Sequence, residues 1–317
     1  MQYHTFPLRQ EGFLDRGLHK IKYWVYGNLK GTPIVSFHGG PASSSKPSHL
    51  APFNPRKYML IQFDQRGAGE SLPIGEVKEN NLDLILSDVE ALREKLKIEK
   101  WIIFGYSWGS TVALAYLAQY SQRVIGAIVG GIFLGQFSLF ENASKDKLPI
   151  SLATFKNELK SFIEVNKSER DLTLDLAEKF STNGLAKQAK ISWAMGARNS
   201  ALALSQDVIA PESSNYLEEV TVRDLLKLNI VFNYAVKNNF FNWQEISKKL
   251  KDLIVPMLIF HGDDDLMCDV SNADSLAVAY PKATYNKIKG MPHAIKEKKF
   301  IDETSELIQT WLRELRH

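Results

Sequence analysis

Three residue types in one chain order define the chemistry this sequence can do. Gly105-Tyr106-Ser107-Trp108-Gly109 stands between the apolar run Trp101-Ile102-Ile103-Phe104 and the helix-like segment that begins Ser110-Thr111-Val112-Ala113-Leu114. A strand running into G-x-S-x-G, with a helix leaving it, is the context of a nucleophile elbow, a sharp turn that lifts a serine hydroxyl out at the edge of a sheet. The flanking glycines suit a turn so tight that strand and helix backbones nearly touch and leave no room for a Cβ. Ser107 is therefore the candidate nucleophile. A serine hydroxyl reacts poorly until a base takes its proton and a third group orients that base. After elbows of this kind the acid and then the histidine follow in the chain. Of the seven histidines only His293 and His317 lie far enough downstream, and His317 is the terminal, fraying residue. His293 follows the turn-prone Gly290-Met291-Pro292 after the strand-like stretch Ala283 to Ile288, and is the candidate base. The acid should close the preceding strand, where Phe260-His261-Gly262-Asp263-Asp264-Asp265 offers three adjacent carboxylates. Spacing does not rank the three, and at least one reads as a turn residue or as the N-cap of a helix starting near 270.

Acyl transfer also needs two backbone N–H groups aimed where negative charge develops, each worth roughly 10²–10³ in rate. Trp108, next after the nucleophile, supplies one. The loop Phe37-His38-Gly39-Gly40-Pro41-Ala42 has the composition to supply the other, from Gly40, because glycine lets a backbone approach a substrate and proline stiffens the turn. His38, Gly39 and Tyr106, together with Trp193 farther along, are the candidate substrate contacts.

These residues need a rigid scaffold, and the hydrophobic pattern describes one. Residues 3–9 and 20–26 read as a partly alternating strand pair with one wet face. Pro33 to Phe37, Met59 to Phe63, Trp101 to Phe104, Val124 to Ile132 and Pro256 to Phe260 are mostly apolar runs of strand length, as parallel strands buried on both faces require. Helical patterns lie between them over 81–97 and 110–120, and an amphipathic stretch from Phe300 to Leu315 closes the chain. Alternating strands and helices predict a mostly parallel, doubly wound α/β sheet with its site at the carboxyl ends of the strands. Residues 136–245 break the rhythm: they are polar, helical in pattern, and without a buried strand. The expected organisation is a core of residues 1–135 and 246–317 with an inserted helical cap at 136–245.

With these residues in hand, the chain resembles the proline iminopeptidase (prolyl aminopeptidase) family of α/β hydrolases. His38-Gly39-Gly40-Pro41 is similar to the family's H-G-G-P-G, with Ala42 in place of the last glycine. Asp64-Gln65-Arg66-Gly67-Ala68-Gly69-Glu70-Ser71 resembles D-Q-R-G-x-G-x-S, and Gly105 to Thr111 resembles G-G-S-W-G-S-T. The family's G-x-x-D fits Gly262 to Asp265, with Cys268 at the usual cysteine position, so the resemblance selects Asp265 as the acid. It also supports His293, although Pro292 replaces the family's glycine. It implies a Ser107–Asp265–His293 triad, an α/β-hydrolase fold, and release of an N-terminal proline or another small residue from a peptide. The family captures the substrate's free amine with cap glutamates, one in a W-E pair and one in a segment like I-E-N-H-Y-F. The apparent equivalents here are Trp193-Ala194 and Ile230-Val231-Phe232-Asn233-Tyr234, which lack both carboxylates. An ammonium buried without an opposite charge costs several kcal/mol. That departure points instead to an uncharged ester, amide or lactone, unless Glu212, Glu218 or Glu219 supplies a carboxylate from elsewhere; as exposed helix residues those three read as solvated.

Composition narrows the remaining classes. The 39 basic and 36 acidic side chains leave a formal charge of +3, too small and too evenly spread for a nucleic-acid groove. The longest apolar run, Val124 to Gly135, falls short of the roughly 20 residues that span a bilayer. The amino-terminal residues lack a basic start and an apolar h-region, and the single cysteine permits no intrachain disulfide, so a cytoplasmic protein is expected. No metal-ligand spacing and no phosphate loop stand out, so the expected partner is a small-molecule or short-peptide substrate, with no cofactor, nucleic acid or membrane. Oligomeric state has no sequence signature. Asp64 and Arg66 read as a structural ion pair bracing two loops, and Cys268 as a packing residue beside Asp265. A non-catalytic ligand-binding protein on this scaffold is the competing class, but a pure binder has no need of the serine, acid and histidine together.

Overall fold

The apolar runs assemble into one eight-stranded sheet. The structure is a computed structural model describing residues 3, 5–135, 149–162, 169–182, 184–206, 220–237 and 241–315. The strands are β1 (Leu8–Arg16), β2 (His19–Gly27), β3 (Thr32–Phe37), β4 (Tyr58–Phe63), β5 (Trp101–Tyr106), β6 (Val124–Gly130), β7 (Met257–Gly262) and β8 (Thr284–Ile288). They lie in the order β1-β2-β4-β3-β5-β6-β7-β8. β1 and β2 pair antiparallel, as do β2 and β4, and every later pairing is parallel.

Burial on both faces explains why the parallel strands are nearly unbroken apolar runs. Along β5, Trp101 and Ile103 pack into a cluster with helices α1 (Leu82–Lys95) and α2 (Trp108–Tyr120), while Ile102 and Phe104 point the other way, into a cluster with α9 (Lys298–Glu314). Each aliphatic side chain buried in this way contributes about 1.5–3 kcal/mol. Asn81 starts α1 by accepting the Leu84 N–H, and α9 buries Phe300, Ile308, Trp311 and Leu312 along one stripe. The first strand lies later than the expected 3–9: Leu8–Arg16 is an exposed, polar edge strand in which only Leu14 is buried. Its pairing with β2 supplies what its own alternation lacks. β6 stops at Gly130, short of Ile132, because Gly131 turns the chain with φ +51°.

Between β6 and β7 the described residues contain helices and no strand. α3 (Ile150–Lys160), α4 (Glu169–Thr182), α5 (Leu185–Leu204) and α6 (Val222–Lys237) share an apolar cluster of Leu159, Leu176, Phe180, Ile191, Met195 and Phe232, among others. α6 has two working faces. Leu228 and Phe232 join that cluster, whereas Ile230 and Tyr234 enter the core around the sheet. The next helix, α7 (Trp243–Lys251), spans the expected 245/246 boundary and buries Leu250 in the sheet's core, so that boundary falls inside one packed element. Glu212, Glu218 and Glu219 lie outside the described residues. Among the described residues no helix is long and apolar enough to cross a membrane.

Candidate active site

Ser107 stands at the carboxyl end of β5 with φ 59° and ψ −130°, immediately before α2. The left-handed conformation of a residue with a side chain is strained and is seen where surrounding structure enforces it. Here the enforcement is steric and polar together. A Cβ on Gly105 would come within 2.1 Å of the Gly109 carbonyl oxygen, and one on Gly109 within 2.2 Å of the Phe37 carbonyl oxygen. The Ser107 N–H donates to Gly130 at 3.0 Å, pinning the elbow to the neighbouring strand.

The hydroxyl of Ser107 donates to Nε2 of His293 at 3.0 Å, and Nδ1 of His293 donates to Oδ2 of Asp265 at 2.7 Å. Asp265 is fully buried, and its other oxygen accepts the N–H groups of Met267 at 2.9 Å and Cys268 at 2.7 Å. Burial alone would raise the Asp265 pKa, but the His293 imidazole, His261 and the Cys268 N–H hold it below the usual carboxylate value. For His293 burial disfavours the charged ring, yet the Asp265 carboxylate pushes its pKa well above the ordinary histidine value. Burial pushes the Cys268 thiol up, so it stays protonated. Among the described residues Asp265, Cys268 and His293 are the group whose donor atoms converge closely enough to suggest a metal, within 4.8 Å of one another. The hydrogen bond from His293 to Asp265 already occupies that group.

The three adjacent aspartates divide their tasks. Asp263 accepts the N–H of Gly290 at 2.6 Å, fixing the start of the histidine loop; the carbonyl of Asp264 receives the Ser205 hydroxyl from the end of α5; Asp265 meets the base. The N-cap of α8 (Val270–Ala279) is a fourth residue, Asp269.

The other candidate contacts fall into distinct places. Gly39 lies against the nucleophile: a Cβ there would stand 3.5 Å from the Ser107 Cβ. Gly40 has φ +130°, and a Cβ would meet the Ala42 nitrogen at 2.4 Å, so this turn requires glycine. Trp108 opens α2, where the backbone N–H groups point out of the helix end toward the site. His38 is buried with both ring nitrogens engaged: Nδ1 donates to the Gly39 carbonyl at 2.8 Å and Nε2 accepts the Gln65 N–H at 2.9 Å. This leaves the His38 ring no polar atom for a substrate; it braces the glycine loop. Tyr106 likewise supports the base, donating its hydroxyl to the His293 carbonyl at 2.8 Å with ring centroids 5.3 Å apart. Trp193 sits in the helical insert, its ring 5.8 Å from Phe155.

Asp64 and Arg66 do not pair with each other. Asp64 accepts the N–H groups of Ser45 at 2.6 Å and Glu70 at 2.7 Å, so it braces loops through backbone bonds. Arg66 makes a bidentate pair with Asp88 of α1, at 2.7 and 2.8 Å, and Arg16 joins the same carboxylate. The planar guanidinium suits that two-bond geometry, which residues two apart in a tight loop cannot provide.

Sequence reasoning missed Gln65. Its side chain donates to the His38 carbonyl at 3.0 Å and accepts the Trp108 indole N–H at 2.7 Å, joining the glycine loop to the elbow. It lies inside the string Asp64 to Ser71, and its place in that family-like string is the available signal. The end of α5 was missed as well: Ala203 accepts the N–H of Ala294, next to His293, at 2.7 Å.

A strained serine between a β-strand and an α-helix, at the carboxyl end of a mostly parallel sheet, defines an α/β hydrolase. The family model for the alpha/beta hydrolase fold matches residues 32–300. A probable proline iminopeptidase of Leptolyngbya boryana is 30% identical over 298 residues, 91% of this chain and 89% of the relative. A proline iminopeptidase of Xylella fastidiosa is 31% identical over 300 residues, 90% of each. The crystal structure of a proline iminopeptidase of Mycobacterium smegmatis superposes with a TM-score of 0.60 at 15% identity, covering 96% of this chain and 98% of that one, a likeness of fold. The chain belongs to the proline iminopeptidase family of α/β hydrolases.

Proposed function

We propose that the chain hydrolyses an acyl bond through Ser107, His293 and Asp265, with release of an N-terminal proline or another small residue as its activity. The observation that carries this reading is the continuous hydrogen-bond path from the Ser107 hydroxyl through His293 to Asp265 at the elbow. In this mechanism the Ser107 oxygen attacks the substrate carbonyl as Nε2 of His293 takes its proton. Asp265 holds the imidazole in the Nδ1–H tautomer and stabilises the imidazolium. The N–H groups of Trp108 and Gly40 receive the oxyanion of the tetrahedral intermediate. His293 then gives its proton to the leaving group, the ester to Ser107 forms, and a water activated by the same histidine releases the acid. The helical insert, expected at 136–245, acts up to the start of α7 as the cap that shapes the substrate pocket over this centre, and the compartment is cytoplasmic, consistent with the free, buried Cys268.

A second reading concerns the substrate. Ala194 is fully buried in the apolar cluster of the insert, and Val231 packs against the same cluster. A charged amine would find no counter-charge at either position. This favours an ester, an uncharged amide or a lactone. The deciding experiment compares a prolyl-arylamide, its N-acylated form and a short-chain nitrophenyl ester. Preference for the free amine supports the aminopeptidase activity; preference for the acylated amide or the ester overturns it in favour of the second reading.

A further inference from the structure

The acid turn holds a second imidazole that the triad does not use. His261 lies in β7, four residues before Asp265, and is completely buried. Its Nδ1 accepts the backbone N–H of Ile132 at 2.9 Å, so the proton of the neutral ring resides on Nε2. That Nε2–H donates to the Cys268 carbonyl at 2.9 Å and passes Oδ2 of Asp265 at 3.4 Å. Oδ2 is the same oxygen that receives Nδ1–H of His293. One ring thus joins the exit of β6, distant in sequence, to the acid and the far end of the acid turn.

The position demands a side chain with an acceptor on one edge and a donor on the other. Charged and titratable neighbours surround it: Asp265 and Cys268 on its own turn, His293 across the carboxylate, and Asp269 and Asp274 from the start of α8. Burial outweighs the attraction of Asp265 and holds the His261 pKa below the ordinary histidine value, so the ring stays neutral. A neutral ring keeps both bonds as the pH changes, whereas a proton on Nδ1 would expel the Ile132 N–H.

Resting on the triad reading above, we propose that His261 is a positioning residue. It fixes the Asp265 carboxylate against His293 through the Nε2–H that it directs at the acid turn, with the Ile132 N–H holding the ring in that tautomer, and it touches no substrate. The two halves of its function separate in two variants. His261→Gln places an amide donor near the Nε2 position, toward Cys268 and Asp265. His261→Asn keeps an acceptor near the Nδ1 position for Ile132 and loses that donor.

The test measures kcat, KM, the pH profile and the melting temperature of H261Q, H261N, S107A and the parent chain, on whichever of the three substrates above the parent cleaves. H261Q is expected to keep kcat within about threefold, and H261N to lose about ten- to fiftyfold in kcat with KM within about twofold, the mark of an interaction felt in the chemical step. The acidic limb of the H261N profile should move to lower pH, because a displaced Asp265 stabilises the His293 imidazolium less. A folded H261N with kcat and limb unchanged overturns the proposal, and so do equal losses in both variants that track a common fall in melting temperature. S107A discriminates further: if it retains activity the triad reading itself fails, whereas an inactive S107A beside an unaffected H261N refutes the role of His261 alone.

Discussion

The N–H of Ala294 donates to the carbonyl of Ala203 at 2.7 Å, so the residue beside the candidate base hangs from the last turn of α5. Nearby, Leu202 packs on Leu266 next to Asp265, and Ser205 bonds the Asp264 carbonyl. The helical insert therefore grips both the acid turn and the histidine loop. Leu202→Ala should loosen this grip. Removing the buried side chain from so small a cluster costs about 2–3 kcal/mol, the lower end for leucine truncations. The expected result is faster hydrogen exchange at the Ala294 amide together with a lower kcat, measured by exchange mass spectrometry and steady-state assay; unchanged exchange contradicts the coupling.

The elbow tolerates no Cβ at Gly109. Its substitution by alanine would press a methyl carbon to 2.2 Å from the Phe37 carbonyl, against backbone rather than a movable side chain. Gly109→Ala is expected to abolish soluble expression or to lower the melting temperature by about 2–5 °C or more, as core overpacking of about 1–3 kcal/mol or beyond implies. Gly196, within α5, has open space around it, so Gly196→Ala should stabilise by about 0.5–1 kcal/mol. A thermal melt of the pair reads both.

The pH profile follows from the Asp265–His293 pair. His293 must be neutral to accept the Ser107 proton, and its pKa is raised because the Asp265 carboxylate overcomes the effect of burial. A raised pKa keeps the ring protonated to higher pH, so activity should be lost on acidification through a midpoint above the ordinary histidine value. Asp265→Asn removes the charge that raises it, and should shift the midpoint downward while lowering kcat by about 10³–10⁴. A limb that stays in place in this variant would show that another group titrates.

Gln65 offers a test of the glycine loop. Gln65→Ala leaves the buried Trp108 indole N–H and the His38 carbonyl without that side chain, a loss of about 1–3 kcal/mol for each group left unsatisfied. If the loop presents the oxyanion donor, kcat should fall about tenfold or more with little change in KM. A rise in KM alone would assign Gln65 to substrate binding instead.

Much of this architecture is legible in the residues because local signals and the global fold agree. Runs such as Ile102 to Phe104 and Leu258 to Phe260 are buried on both faces, and G-x-S-x-G carries its own strand-to-helix context. The order of serine, acid and histidine reduces seven histidines to His293 and His317, and the family likeness supports His293 and chooses among three aspartates. What the sequence withholds are partners set by tertiary packing. Arg66 stands two residues from Asp64 yet pairs with Asp88 on α1, and nothing local announces that choice. His38 and Tyr106 look like substrate contacts because they flank the site, and only their hydrogen bonds show them holding backbone. The polar edge strand Leu8–Arg16 lies later than the pattern suggests because that pattern is weak without β2 beside it. The insert is hardest to read, since helix faces there serve a second cluster as well as the core.

The most direct test of the central claim is labelling of the folded protein with a fluorophosphonate, followed by mass spectrometry of the intact chain and of its peptides. A phosphonate reacts with a serine oxygen that a neighbouring base activates. The account predicts one adduct, on Ser107, absent from Ser107→Ala and strongly slowed in His293→Ala. A folded chain that takes no label, or takes it at another residue with Ser107 unmodified, would contradict it.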